Sequence, residues 1–208
     1  MQIPILWQSA LAALGLNLSE RQLQQLAQYL QLLQRWNQVY NLTAVRDPTQ
    51  MLPVHLWDSL SVAPFIQHDR CLDVGSGAGL PGIPLAIVQA DHQFTLLDTN
   101  GKKTRFIQQA ALELGLKNIT VVQARVEQWR PEQAFPAIVS RAFASLADFV
   151  TFTALHLQAD GVLYAMKGRV PNDELAELPP GWQLTRTHRL HVPSLDAERH
   201  LLELQRIA

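Results

Sequence analysis

The sequence predicts an α/β fold: an open, mostly parallel sheet of seven strands that ends in an antiparallel pair, preceded by an N-terminal helical extension. Three observations predict it. From residue 70 onward, short apolar runs alternate with helix-length stretches, which implies parallel pairing through right-handed crossovers. Between residues 17 and 41 there is no Gly or Pro, and apolar positions recur at helical spacing. The last two apolar runs follow one another with no helix between them, so they read as antiparallel neighbours.

Taken in order, the first 69 residues read as helices. Leu23, Leu26, Leu30, Leu33 and Tyr40, with Ala27, Tyr29 and Trp36 beside them, form one stripe, and the many glutamines form the opposite, solvated face. Ser19 and Gln22 have the spacing of a capping box, in which hydroxyl and amide satisfy each other's backbone donors. A second helical stretch follows Asp47-Pro48, is interrupted near Pro53 and ends by Pro64. Within it His55, Asp58 and Ser59 fall within about one turn. The strands then read as Cys71–Val74, Phe94–Leu97, Ile119–Val122, Ala137–Ser140 and Gly161–Met166, with helices over Ile83–Gln89, Lys102–Leu114 and Ser145–Leu157. Trp182–His191 and His200–Ile207 close the sheet edge. Residues 1–69 are thus expected to be a helical extension packed on a domain spanning 70–208, since no Gly/Ser tether separates the two.

Composition limits what the chain can be. Its 208 residues suffice for one domain with an appendage and bury about 70% of the unfolded surface. With 17% charged and 48% hydrophobic residues it lies well away from the disordered range. A net charge of −1 excludes binding of nucleic acid through a global positive field, so any such contact has to come from a local patch. Cys71 has no partner for a disulfide, the segment Met1–Trp7 lacks a basic leader, and no run approaches the roughly 18 apolar residues of a membrane span. The expected setting is the cytoplasm, without membrane or metal, and a monomer is expected.

The richest segment is Leu72-Asp73-Val74-Gly75-Ser76-Gly77-Ala78-Gly79-Leu80-Pro81-Gly82. A strand runs into alternating glycines and then a helix, whose first amides face the crevice at the strand ends. Some twenty residues on, the second strand ends at Asp98, where a carboxylate can accept from both hydroxyls of an adenosine ribose. Two cofactors compete for such a loop. Gly77-x-Gly79-x-x-Gly82 nominally matches the dinucleotide pattern of a NAD-linked oxidoreductase. The frame Asp73-x-Gly75-x-Gly77-x-Gly79 instead resembles the S-adenosylmethionine loop of Rossmann-like, class I methyltransferases, with an acid near the cofactor's ammonium.

Over a wider window the resemblance narrows to one family. Leu72–Pro84, Phe94–Asp98 with Lys102-Lys103, Arg125-Val126-Glu127 and Val139-Ser140-Arg141-Ala142-Phe143-Ala144-Ser145-Leu146 resemble the bacterial GidB family, also called RsmG. So do Trp36-Asn37, Tyr40–Ala44, His55, Asp58–Leu60, Met166–Gly168 and Glu198–Leu201, so that essentially the whole chain is covered. The resemblance implies transfer of a methyl group from S-adenosyl-L-methionine to guanine N7 in small-subunit (16S) ribosomal RNA. It implies cofactor contacts at Gly75, Leu80, Val126, Glu127 and Arg141, to which the glycine loop and the general fold add Gly77 and Asp98. RNA contacts are expected from Arg141, Lys167, Arg169, Arg199 and His200, with Lys102, Lys103, Arg105, Arg125 and Arg130 also placed after strands or at helix starts.

Plain structural roles stay open for several of these. Glu127 can serve as a solvated loop acid, Arg141 as partner of Asp73 or Asp98, and His55 and Asp58 as a pair across a helical turn. Asn41 and Thr43 can end the long helix, and Trp36, Trp57 and Trp129 can be core. No catalytic acid or base is expected, because N7 offers a lone pair and carries no proton at neutral pH. A non-catalytic ribosome-assembly factor is the other function this fold could carry, and the intact glycine loop argues against it.

Overall fold

The computed structural model describes residues 5–207; Met1–Pro4 of the N-terminal segment lie outside the described residues. Helices α1 (Ile5–Ala13), α2 (Glu20–Tyr40), α3 (Pro48–Met51) and α4 (Asp58–Leu60) precede the sheet, with π-helical turns over Leu52–Trp57 between the last two. The strands are β1 (Arg70–Val74), β2 (Gln93–Asp98), β3 (Ile119–Gln123), β4 (Phe135–Ser140), β5 (Leu157–Lys167), β6 (Trp182–Arg189) and β7 (His200–Arg206). Between them run α5 (Gly82–Val88), α6 (Gly101–Leu114), α7 (Leu146–Thr153) and the short α8 (Asn172–Ala176).

The seven strands lie in the order β3-β2-β1-β4-β5-β7-β6. β1 through β5 are parallel, while β7 is antiparallel to both β5 and β6, as the missing helix between the last two apolar runs implied. Chain order reverses at β1: β2 and β3 are added on one side and β4 onward on the other. Their carboxyl ends therefore diverge into a crevice beside β1.

Alternation along the strands sorts the core into two clusters. Cys71, Phe94, Leu96, Val139 and Tyr164 face one side together with α5, α6 and buried side chains of α1 and α2. Leu72, Val74, Ile138, Leu163 and Leu202 face the other and meet Leu146, Phe149 and Val150 of α7. Burial pushes the Cys71 thiol up, which keeps it protonated and unreactive.

Ser19 caps α2 through the expected box: its hydroxyl accepts from the Gln22 amide while the Gln22 side chain accepts from the Ser19 amide. Leu26, Tyr29, Leu32 and Leu33 are the buried positions, whereas Tyr40, expected in the stripe, is exposed. Nor are all the glutamines solvated. The Gln22 side-chain amide donates to Ile87 O and Val88 O, and that of Gln25 donates to Leu114 O. These carbonyls end α5 and α6, where backbone acceptors lack intrahelical partners, and α2 supplies the donors.

Candidate active site

The crevice is built by the loop after β1. Gly75 has a φ of 71°, and a Cβ there would stand 2.5 Å from that of Ala142, so only glycine lets the two strand ends meet. Ser140 joins them from the other side: its hydroxyl donates to Val74 O at 2.7 Å and accepts from the Ala142 amide at 3.0 Å. β2 holds the loop through Leu97 O, which accepts from the Gly75 amide at 2.8 Å. At the end of β2, Asp98 accepts from the Gly77 amide through Oδ2 and from the Asn100 amide through Oδ1, each at 2.8 Å. A carboxylate oxygen accepts more than one bond, so Asp98 keeps acceptor capacity toward the crevice.

Gly75, Asp98, Val126 and Glu127 share the walls of an opening of about 330 Å³ with Thr99, Lys103, Arg125, Ala142, Phe143 and Phe152. Phe143 lies within the Ser140–Leu146 stretch, and Phe152 is a partly exposed ring on α7; neither stands out in the sequence as a site residue. Leu80 differs. Its side chain is buried in the core and its amide donates to Ser76 O, so it supports the loop from beneath.

Asp73 lies under the loop with no solvent exposure. Its Oδ2 accepts from the Gly82 amide at 2.9 Å, while Oδ1 has no hydrogen-bond partner. Burial pushes its carboxyl up to about 7; Asp98 adds to this, while the Gly82 bond and Arg141 oppose it. A buried carboxylate with one free oxygen, beside a second acid at the end of β2, fits a ligand that carries an ammonium at one end and ribose hydroxyls at the other. S-adenosylmethionine is such a ligand.

The predicted RNA-facing residues gather at the same edge of the sheet but are differently engaged. Arg141 leaves β4 and meets neither Asp73 nor Asp98 directly. Its Nη1 pairs with Asp58 Oδ2 at 3.0 Å and donates to Val54 O at 3.4 Å. Arg199, just ahead of β7, donates from Nε to Asp58 Oδ1 at 3.0 Å. His55 does not pair with Asp58; its Nε2 lies 2.9 Å from Thr43 Oγ1. Burial and the neighbouring Arg141 charge push that imidazole down to about 4, so it is neutral.

Lys167 is committed elsewhere, its Nζ 2.8 Å from Glu174 Oε2, and the same oxygen accepts from the Leu146 amide at the start of α7. Arg169 is exposed and 3.6 Å from Glu198, and His200 Nδ1 donates to Gly168 O at 2.7 Å. Arg130 turns onto its own loop at Glu127 O and Trp129 O, and Arg105 onto Gly101 O. Asn41 ends α2 in the left-handed conformation. Trp57 is core, and Trp36 and Trp129 are half-buried. No cluster of three His, Cys, Asp or Glu among the described residues could hold a metal ion, and none of their helices is long and apolar enough to cross a membrane.

Fold and site together define an S-adenosylmethionine-dependent methyltransferase. A methyltransferase from Geobacter sulfurreducens, solved with S-adenosyl-L-homocysteine, shares the fold with a TM-score of 0.57 at 12% identity, covering 85% of this chain and 98% of that one. A second, from Aquifex aeolicus, has a TM-score of 0.58 at 17% identity over 76% and 93% of the two chains. The profile of the GidB family, described as rRNA small subunit methyltransferase G, matches residues 22–202. Ribosomal RNA small subunit methyltransferase G of Ectopseudomonas mendocina is 57% identical over 93% of this chain and 91% of its own. That of Marinobacter nauticus is 54% identical over 94% and 92%. The chain belongs to the GidB family of small-subunit ribosomal RNA methyltransferases.

Proposed function

We propose that the protein methylates N7 of one guanine in 16S ribosomal RNA, within or on the way to the small ribosomal subunit, in the cytoplasm. The observation that carries this reading is the crevice itself. Glycine loop, Asp98, Val126 and Glu127 converge at the carboxyl ends of β1 and β2, in a chain more than half identical to methyltransferases of that name.

S-adenosylmethionine, when bound, supplies a methyl group on an electrophilic sulfonium. The residues that would hold it are Asp73 toward the ammonium, Asp98 toward the ribose, and Val126, Glu127 and the backbone of Gly75 and Gly77 along the rest. Guanine N7 has an in-plane lone pair and no proton to lose, so no side chain has to act as a base. The protein's part is positioning, bringing acceptor and methyl to about 3 Å in line. His55, neutral and tied to Thr43, fits a supporting part better than proton transfer.

The guanine has to be unpaired or turned out of its stack to present N7. Lys103 and Arg125 line the crevice, while Arg141, Arg169, Arg199 and His200 lie at the ends of β4, β5 and β7 along the same edge of the sheet. The test is mass-spectrometric mapping of 16S RNA from cells with and without the gene. Loss of one N7-methylguanosine, restored by the cloned chain, is expected; an unchanged methylation map overturns the proposal.

A further inference from the structure

We propose that Asp58 is a positioning residue that gathers Arg141 and Arg199 into one clamp for a backbone phosphate of the RNA. The inference rests on the function proposed above and adds a recognition element to it.

The two arginines come from distant parts of the chain. Arg141 follows Ser140 at the end of β4, and Arg199 precedes His200, which is paired in register with Lys167 at the end of β5. Both therefore emerge at the carboxyl edge of the sheet, on the β4 side of the crevice. Asp58 comes from the helical segment above them and offers one oxygen to each, at 3.0 Å in both cases.

The stoichiometry is what points to a ligand. Asp58 has a side chain only 5% exposed, and a buried carboxylate is neutralised by a single guanidinium. A second cation at the same carboxylate leaves a net positive charge, and no other acid pairs with either arginine among the described residues. Each guanidinium spends only part of its fork. Arg141 uses Nη1 alone, and Arg199 uses Nε on Asp58 and Nη1 on Glu198 O. Nε and Nη2 of Arg141 and Nη2 of Arg199 make no hydrogen bond to described residues, and both side chains remain 26% exposed.

Two fixed forks with spare donors and one surplus charge suit a phosphodiester, which takes planar, multidentate hydrogen bonds and carries one negative charge. A base edge would need no surplus charge. Because Asp58 holds both rotamers before RNA arrives, little side-chain entropy is lost on binding. Lys167, by contrast, is already neutralised by Glu174 and has less to offer.

The test uses the full chain, S-adenosylmethionine and small ribosomal subunits from cells lacking this methylation. Asp58→Asn should raise KM for the subunits about tenfold, with a smaller change in kcat. Arg199→Gln should do the same with an unchanged calorimetric Kd for S-adenosylmethionine, and the two combined should fall well short of the product of their separate effects, since Asp58 acts in part through Arg199. An unmoved KM, effects that multiply, or a loss of cofactor affinity in Arg199→Gln overturns the clamp. If Asp58→Asn fails to fold, Arg199→Gln decides alone by the same KM criterion. Absence of methylation by the intact enzyme overturns the proposed function and the clamp with it, whereas a competent enzyme with indifferent variants overturns only the clamp.

Discussion

Asp73 is a buried acid whose protonated form the fold favours. Its carboxyl is pushed up to about 7 from an ordinary value of 3.8, chiefly by burial. The folded chain thus holds a proton that the unfolded chain releases. The stability Asp73 contributes is fully present below about pH 4 and is lost as pH rises through about 7. Asp73→Asn removes that loss. Thermal unfolding should show the variant more stable than the parent at pH 8.5 by about 2–4 kcal/mol, the gap narrowing as pH falls toward 4. On the role proposed for Asp73 at the cofactor's ammonium, the same variant should bind S-adenosylmethionine about tenfold or more weakly. A variant no more stable at pH 8.5, or one with full cofactor affinity, contradicts this account. The acid itself was legible two residues ahead of Gly75. That Arg141 would instead meet Asp58, 83 residues away, was not, because a contact between loops leaves no periodicity in either segment.

Among the elements, α2 acts as a strut between sheet and site. At one end Gln22 and Gln25 close the carbonyl ends of α5 and α6. In its middle the buried Tyr29 hydroxyl donates to Ala78 O at 2.7 Å, inside the glycine loop. Tyr29→Phe removes that donor and leaves a buried carbonyl unpaired, which should cost about 1–2 kcal/mol. Calorimetric affinity for S-adenosylmethionine should fall several-fold with it; unchanged affinity would mean the loop holds its shape without the helix. The helix was readable from its stripe and its capping box, and the parallel strands from their apolar runs. The glutamine contacts were not, since a polar face reads the same whether it meets water or the open end of another helix. The π-helical turns over Leu52–Trp57 announced themselves only as a break near Pro53. The five-residue α8, too short for any period, supplies Glu174, which diverts Lys167 from the rim.

For the whole molecule, a net charge of −1 combined with a small cationic rim sets how RNA binding should respond to salt. Neutralising about three phosphates predicts a slope of log K against log salt near −2, from the factor of about 0.7 per contact for single strands. Titration of small subunits between about 50 and 200 mM salt checks it, and a slope beyond about −5 would mean a far larger phosphate footprint than the rim provides. The sheet order bears on a different matter, the behaviour of many copies at once. β7 carries the apolar run Leu201, Leu202 and Leu204, yet it lies inside, hydrogen-bonded to β5 and β6. The outermost place on this side goes to β6, whose Thr185, Arg186 and Arg189 are exposed and whose register shifts between Leu184 and Arg186. An edge that is charged and bulged is a poor template for another chain, so the hairpin turns its adhesive strand inward and guards this edge of the sheet against extension by neighbouring molecules.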